Sequence, residues 1–183
     1  MNPSLTRTLL FLAGSFRRPS MEILDVSVVP MRVWPSDLDV NLHMNNGRYL
    51  TLMDLGRFDL LVRTGMWRVI LARGWRPMVG SAVVRFRRPL QLMAKFELHT
   101  RLACWGPKWF FIEQQFMRDG SVCGVGFIKG LFRASTGNVA PAEVLAAMGK
   151  LQESPEVPRG IEEWVAAEDR LAGRVDTRGS TNE

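Results

Sequence analysis

The sequence predicts an α+β domain, because the spacing of its apolar residues changes from a helical period to a strand period along the chain. From Asn46 to about Thr64 the pattern is helical and leaves little polar surface, which is typical of a helix buried inside a protein. From Pro77 to Arg133 the apolar residues fall in runs of strand length, separated by Gly, Pro and Asp. One long helix followed by antiparallel strands therefore makes up most of the predicted domain.

The first elements are bounded by residues that favour turns. A strand is predicted from Ile23 to Trp34, with Pro30 marking an edge or a bend, and Pro35-Ser36-Asp37 then turns the chain. Gly65 ends the long helix, and a second short helix is predicted from Met66 to Arg73. The chain thus passes through one strand and two helices before the sheet-forming half begins.

The second half of the chain is predicted to form a four-stranded antiparallel meander followed by two helices. Pro89-Leu90, Gly106-Pro107-Lys108 and Asp119-Gly120 are typical of the turns between such strands. The predicted strands and helices are Pro77 to Pro89, Ala94 to Trp105, Trp109 to Arg118 and Val122 to Arg133, then Ala142 to Met148 and Ile161 to Leu171.

Length and composition favour one compact domain with short appendages. The chain has 183 residues, of which 46% are apolar, so a sizeable core can be buried. We expect a basic and apolar segment at residues 1–20, the main domain at 21–138, a helical appendage at 139–172 and a disordered tail at 173–183.

The charge of the chain favours a partner that carries phosphate. The formal net charge is +6 and the sequence pI is about 10.1. The Arg residues are spread along the whole chain, and no helix-turn-helix, zinc-finger or RNP pattern organises them. A phosphorylated small molecule or carrier is therefore expected in preference to a nucleic acid. Cys104 and Cys123 are interpreted as small apolar residues in strands of a reduced intracellular protein, and no metal site is expected.

The N-terminal segment combines a short apolar run with arginines. Leu9 to Gly14 follows Arg7 and precedes Arg17 and Arg18, and the run is far too short to span a bilayer. It is interpreted either as an amphipathic helix on an anionic membrane surface or as a segment that packs on the domain. The expected location is the cytoplasm, with membrane association as an open alternative.

Three polar residues alternate just before the long helix. An extended segment sends Asp39, Asn41 and His43 to one side, because successive side chains of such a segment point to opposite faces. The carboxylate, the amide and the imidazole are therefore expected to converge. The structural alternative is that Asp39 caps a turn and His43 braces the start of the helix.

The start of the long helix is a candidate oxyanion site. Asn45 and Asn46 are good N-cap residues, and Gly47 follows them in the first turn. The backbone N–H groups of a first helical turn have no partners within the helix, so they can hold a developing negative charge. A carboxylate facing such donors is typical of acyl transfer or hydrolysis.

These residues carry a resemblance to a known family. The stretch from Asp37 to Tyr49 resembles the Asp-x-Asp-(x)3-His-Val-Asn-Asn-x-x-Tyr signature of hotdog proteins of the 4-hydroxybenzoyl-CoA thioesterase type. It is more closely similar to thioesterase superfamily member 6 and its bacterial relatives, and the resemblance covers about Leu24 to Arg133. It implies a hotdog fold, in which a curved antiparallel sheet of five to six strands wraps around a long central helix, here with C-terminal helices added.

The resemblance also implies roles for individual residues. Asp39 matches the catalytic carboxylate of the family, which acts as a nucleophile or as a general base on water. Plant acyl-ACP thioesterases are similar hotdog proteins that also carry Asp-x-Asn-x-His, so Asn41 and His43 would position water and orient the base. Those enzymes take a further acid from a central strand, whereas the matching stretch here, from Val84 to Leu90, contains no Asp or Glu. Glu97 is the nearest acid downstream and Glu113 the next.

The implied substrate is an acyl-CoA or acyl-carrier thioester, hydrolysed without a cofactor or a metal. Hotdog proteins of this type form a homodimer or homotetramer by pairing sheets edge to edge, with each site across the interface. A non-hydrolytic acyl-thioester or lipid-associated binding protein on the same fold is the alternative.

Other residues have two interpretations each. The side chains of Arg85, Arg87 and Arg88 are candidates for the phosphates of coenzyme A, or else form the solvated face of a strand. Asp54 and Arg57 are interpreted as a structural ion pair. Four aromatic residues are assigned mainly to the core or to a dimer interface: Trp105, Trp109, Phe110 and Phe111.

Overall fold

The computed structural model of the protein describes residues 3–179, with side chains from Thr8 to Leu171. Within that range it has six strands, five α-helices and one short 3-10 helix at Pro35–Asp37. The helices are α1 (Pro3–Ser15), α2 (Asn46–Arg63), α3 (Met66–Arg73), α4 (Pro141–Ala147) and α5 (Arg159–Gly179). The strands are β1 (Ser27–Arg32), β2 (Arg76–Phe86), β3 (Lys95–Trp105), β4 (Phe110–Arg118), β5 (Ser121–Ala134) and β6 (Gly137–Val139).

The strands form one curled antiparallel sheet in the order β1-β3-β4-β5-β2, with β6 paired to the end of β5. The predicted meander is therefore correct for β3, β4 and β5 but wrong for β2, which pairs with β5 instead of β3. Residues 87–94 are not a hairpin: they run past the start of α2, where the Met44 N–H donates to Leu90 O, and reach the end of β1, where the Val33 N–H donates to Ala94 O. Apolar runs identify strands, but only these long-range contacts assign their neighbours.

Two other boundaries differ from the prediction because of local hydrogen bonds. The first strand begins at Ser27 and not at Ile23, since residues 22–25 form a turn in which the Asp25 carboxylate accepts from the Glu22 N–H. Strand β6 was not predicted, and its residues Gly137 to Val139 pair with the end of β5.

Helix α2 lies in the hollow of the sheet, as the hotdog fold requires. Its buried apolar residues, which include Leu52 and Met53, pack against Leu98, Phe116 and Ile128 of three strands. Polar contacts fix it further: the Gln114 side chain on β4 donates to Met53 O at 3.0 Å and accepts from Arg57 Nη1 at 2.9 Å. Arg57 also pairs with Asp54, so the interpretation of those two residues as a structural ion pair is confirmed.

The outer face of the sheet is covered by α5. Ile161, Trp164 and Val165 of this helix pack on Cys104 and Phe111, whose strands point them outward. Of the predicted core aromatics, Trp105 and Phe110 are also buried, and Trp109 is half-buried beside α5. Both cysteines are buried in strands without a disulfide. The backbone of residues 173–179 continues α5 where a disordered tail was expected, and residues 180–183 lie outside the described range.

The N-terminal helix α1 packs on α2 through Phe11 and Leu12. Just after α1, Arg18 Nη1 pairs with the buried Asp59 carboxylate at 2.5 Å. Leu9 and Leu10 of α1 are exposed, and so is Phe16 just after the helix. Within the described range no helix is both long and apolar enough to span a bilayer. Contact with a membrane surface stays a prediction, and the Arg7 side chain on which it partly rests lies outside the described side chains.

Two glycines in helices provide a direct test of how closely α2 approaches the sheet. A Cβ atom at Gly56 would lie 2.5 Å from Thr100 Oγ1 and 2.8 Å from Gln114 Nε2, whereas one at Gly14 in α1 would meet nothing within 4 Å. We expect Gly56→Ala to lower the free energy of unfolding by about 1–3 kcal/mol, because the core must shift. Gly14→Ala should be neutral or stabilising by up to about 1 kcal/mol, because alanine favours helix. Urea unfolding measures both, and equal stability of the two variants would contradict the close packing of α2.

Candidate functional site

The stretch from Asp39 to His43 is a closed loop and not an extended segment. The Asp39 Oδ1 atom accepts hydrogen bonds from the backbone N–H groups of Asn41 at 2.8 Å and His43 at 3.3 Å. The Asp39 N–H donates to His43 O, and Leu42 adopts a positive φ of 59°. The expected alternation of the three side chains is therefore wrong, because a turn replaces the strand. Asp39 and His43 still face one cleft, but the exposed Asn41 points away from it.

A buried ion pair holds this loop against the start of α2. Asp37 is fully buried, and its Oδ1 atom accepts from Arg48 Nε at 3.0 Å and Nη2 at 2.8 Å. Its Oδ2 atom accepts from the Trp34 N–H at 2.9 Å, and its backbone oxygen accepts from the Asn45 N–H. A buried carboxylate with this many donors is well satisfied, so it fixes the loop on both sides of Asp39.

One backbone donor at the start of α2 is unpaired among the described residues. Asn45 is the N-cap, and its Oδ1 atom accepts from the Gly47 N–H at 2.8 Å, while its backbone oxygen accepts from the Arg48 N–H. Asn45 and Gly47 of the predicted oxyanion site are therefore engaged with each other. Among the described residues, the Asn46 N–H makes no hydrogen bond, and Asn46 lines the cleft. Asn46 is thus the member of the predicted set whose backbone N–H is unpaired in the described structure and whose residue lines the cleft.

The cleft that joins these groups has a volume of about 250 Å³. Arg87 and Arg88 lie on its rim, whereas Arg85 is one residue before the end of β2 and is not part of it. Arg87 and Arg88 are held there by their backbone N–H groups, which both donate to Cys123 O. The residues that line the cleft include Asp39, His43, Asn46, Tyr49, Phe86, Arg87 and Arg88.

Neither of the two downstream acids reaches the cleft. Glu113 points to the other face of the sheet, where its carboxylate accepts from Arg101 Nε at 2.8 Å, and Glu97 pairs with His99 at 2.8 Å. In the part of the chain that the structure describes, Asp39 is the only carboxylate lining the cleft. No three His, Cys, Asp or Glu side chains in that part are grouped to hold a metal ion.

Tyr49 is a cleft residue that the sequence assigned only to the buried side of the helix. Its ring packs edge-on against Phe86 at 4.8 Å and Phe116 at 4.7 Å between ring centroids. Burial raises its pKa to about 12, with the nearby Cys123 thiol adding to the shift and a backbone hydrogen bond at Leu90 opposing it. The sequence did contain a signal that Tyr49 lines the cleft. This residue ends the signature, and the hydroxyl of a tyrosine in an apolar helix needs a polar neighbour.

Comparison with known proteins identifies the family of the chain. Residues 33–165 match the Thioesterase-like superfamily. The chain is 36% identical to Protein THEM6 of Xenopus laevis, over 75% of this chain and 66% of that protein. It is 25% identical to Thioesterase poxG of Penicillium oxalicum, over 79% of this chain and 60% of that protein.

A solved structure shows the same fold. The probable thioesterase YbaW of Escherichia coli superposes with a TM-score of 0.62 at 22% identity, over 66% of this chain and 95% of that one. The chain spans about two thirds or less of the length of the two relatives from Xenopus and Penicillium. The family match and the relative named a thioesterase support thioester hydrolysis in general, and the solved structure supports the fold.

Tyr49 is the single tyrosine of the chain, so its ionisation can be followed by ultraviolet absorbance without ambiguity. We expect the folded protein to ionise near pH 12 and the urea-unfolded chain near pH 10. Because the unfolded state loses its proton first, stability is fully present below about pH 10 and falls by at most about 1.4 kcal/mol per pH unit up to about pH 12. Tyr49→Phe should lack this component, and a folded-state pKa near 10 would contradict the buried hydroxyl.

Proposed function

Because the chain belongs to the Thioesterase-like superfamily, we propose that it hydrolyses acyl-CoA thioesters at the cleft beside the start of α2. The observation that carries the proposal is the placement of Asp39 and Asn46 on one cleft. A carboxylate base and a helix N-terminal donor are the two groups that water-mediated cleavage of a thioester needs.

In this mechanism Asp39 is the general base. Its Oδ1 atom is held by the two loop N–H groups, and among the described residues its Oδ2 atom makes no hydrogen bond, so Oδ2 is available to a water molecule. Water attacks the thioester carbon while Asp39 takes its proton, and the carbonyl oxygen becomes negative at the Asn46 N–H. The tetrahedral intermediate then collapses and the carbon–sulfur bond breaks. Asp39 returns its proton to the sulfur, which leaves as the free thiol.

His43 and the arginines have supporting roles in the proposal. His43 lines the same cleft as Asp39 and orients the attacking water, whereas the position of Asn41 outside the cleft limits it to supplying a backbone N–H. Arg87 and Arg88 stand at the rim, where they can bind the phosphates of coenzyme A. Arg85 is left out of this role because it does not line the cleft.

We further propose that the protein is a homodimer that pairs through β2. This strand is bonded to β5 on one side and ends the sheet on the other. Exposed apolar side chains accompany that edge, among them Val79 at 53% and Val83 at 40%. An open edge of this length with apolar side chains is an aggregation hazard, which pairing with a second copy removes.

A non-hydrolytic acyl-thioester binding protein is the second candidate. It is favoured by one observation, the absence of a second acid from the cleft in the described part of the chain. Binding without turnover requires the same Arg87, Arg88 and Asn46 contacts but not the Asp39 base.

Replacing Asp39 by Asn tests the base directly. The change keeps the volume and the hydrogen-bond acceptor but removes the negative charge, so kcat for acyl-CoA hydrolysis should fall by about 100-fold or more. Ligand affinity should change much less. Asp169→Asn, at an exposed position of α5, is the matched control and should keep wild-type turnover.

His43→Ala separates orientation from proton transfer at the same cleft. A loss smaller than that of Asp39→Asn is expected if the imidazole only orients water. Circular dichroism must show that both variants are folded. A folded Asp39→Asn protein with wild-type turnover would refute the role of Asp39, whereas a wild type that binds acyl-CoA without hydrolysing it would establish the binding-protein function.

The molecular mass in solution tests the proposed homodimer. Light scattering at micromolar concentration should give at least twice the 20.7 kDa of one chain. Val83→Lys at the β2 edge should weaken the dimer by about 10-fold or more, because each copy then carries a positive charge on the apolar edge that must pair. Val157→Lys is the control, since Val157 is similarly exposed at 38% but lies between α4 and α5. A monomeric wild type would exclude the interface.

A further inference from the structure

A second cavity lies between α2, α3 and the sheet. Its volume is about 260 Å³, far more than a single water needs. It shares no lining residue with the cleft at Asp39. The lining is mainly apolar and includes Phe58, Leu61, Trp67, Leu102, Ile128 and Leu131.

The charged groups at this cavity are already satisfied. Asp54 and Arg57 line it, but they form an ion pair with each other, and Arg57 also donates to Gln114 at 2.9 Å. A ligand that enters therefore has no unpaired charge to bind and contacts mainly hydrocarbon side chains. Such a cavity fits an apolar chain and not a charged or sugar-like group.

The line of contact between α2 and β2, called the seam below, runs between the cleft and this cavity. At the cleft end, the Tyr49 and Phe86 rings are in contact. Halfway along, a Cβ at Gly126 would touch both Met53 and Val84, so helix and strand lie side by side there. At the far end, Asp54 and Val79 line the same cavity.

The helix side of this seam is a stripe of exposed residues at four-residue spacing. Asn46 lines the cleft, Leu50 is 43% exposed, and Asp54 lines the cavity. Residues four apart lie on one face of a helix, so Leu50 stands between the two sites. At 1.5 Å per residue, Asn46 and Asp54 are separated by about 12 Å along the axis. The direct interior route is filled by Leu52 and Met53, which are fully buried.

We propose that this cavity binds the distal half of a long hydrocarbon acyl chain whose thioester carbonyl lies at Asn46. The inference rests on the proposed function, which places the carbonyl there. A short acyl group ends within the seam, whereas a long one crosses Leu50 and enters the cavity. The substrate class is therefore a long-chain acyl thioester, and Leu61 and Leu50 are its specificity residues.

Cavity filling tests this assignment. Leu61→Trp places a larger side chain in the cavity and should lower kcat/KM for palmitoyl-CoA by about 10-fold or more, with butyryl-CoA changed by less than about 2-fold. Leu71→Trp is the matched control: Leu71 is 61% exposed on α3, does not line the cavity, and should keep the wild-type chain-length preference. An unchanged preference in folded Leu61→Trp would overturn the proposal.

A surface variant provides the same test without risk to the core. Leu50→Glu puts a charge in the seam and should cause the same selective loss for the long chain. Its control is Thr51→Glu, at the exposed neighbouring position of α2, which should show no selective loss. Equal profiles for Leu50→Glu and Thr51→Glu would overturn the proposal even if Leu61→Trp did not fold.

Direct binding separates this inference from the proposed function. Palmitic acid should displace a fluorescent fatty acid from wild type, and about 10-fold more weakly from Leu61→Trp, while Leu71→Trp binds as wild type. If wild type hydrolyses no acyl-CoA but shows this binding pattern, the proposed function fails and the cavity assignment stands. If wild type hydrolyses butyryl-CoA and palmitoyl-CoA equally and binds no palmitic acid, the cavity assignment alone fails.

Discussion

The close contact of α2 with the sheet at Gly56 is the constraint on which the rest of the structure depends. Thr100, Leu98 and Gln114 occupy the space that a side chain at this position would need. Gln114 is fully buried, and its amide group bonds to the backbone of α2 and to Thr100 across the sheet. Because a buried amide must satisfy its donors and acceptor, this contact sets the depth and rotation of the helix at once. Both ends of α2 are positioned as a consequence.

The two ends of that helix have opposite chemistry. At the N-terminus, the Asp37–Arg48 ion pair fixes a loop whose backbone binds the Asp39 carboxylate, and the first turn contributes an N–H donor. In the second half, apolar side chains and a neutralised Asp54–Arg57 pair surround a cavity. The core between them is packed, so a molecule that uses both ends must run along the surface of α2. A molecule with a polar reacting group and an apolar tail matches the two ends of the helix in this way.

The arrangement of the sheet determines which surfaces can join another chain. Helix α5 covers the outer face through Ile161 and Trp164, and Lys129 pairs with Glu168 of the same helix at 3.0 Å. Face-to-face stacking of two sheets is therefore hindered by this chain's own helix, whereas the outer edge of β2 is open. Edge pairing would also cover the seam beside α2, which would exclude water from a bound acyl chain.

The sequence by itself determined most of the helices and strands, because hydrophobic periodicity is a local property. Helical periodicity predicted α2 and α3 with nearly the observed bounds, and the Asp37 to Tyr49 signature identified the fold and several residues that line one cleft. Tertiary structure decided what depends on contacts between distant residues. Strand β2 lies beside β5 because residues 87–94 form hydrogen bonds to Val33, just after β1, and to the loop before α2. The turn residues at Pro89 could not indicate these distant contacts. Asn41 lies outside the cleft because the Asp39 carboxylate folds its own loop. Arg85 lies outside it because neighbouring strand residues point to opposite faces, and Phe86 is the one that lines the cleft. The apolar cavity was not foreseen, since its walls come from six separate elements that only packing brings together.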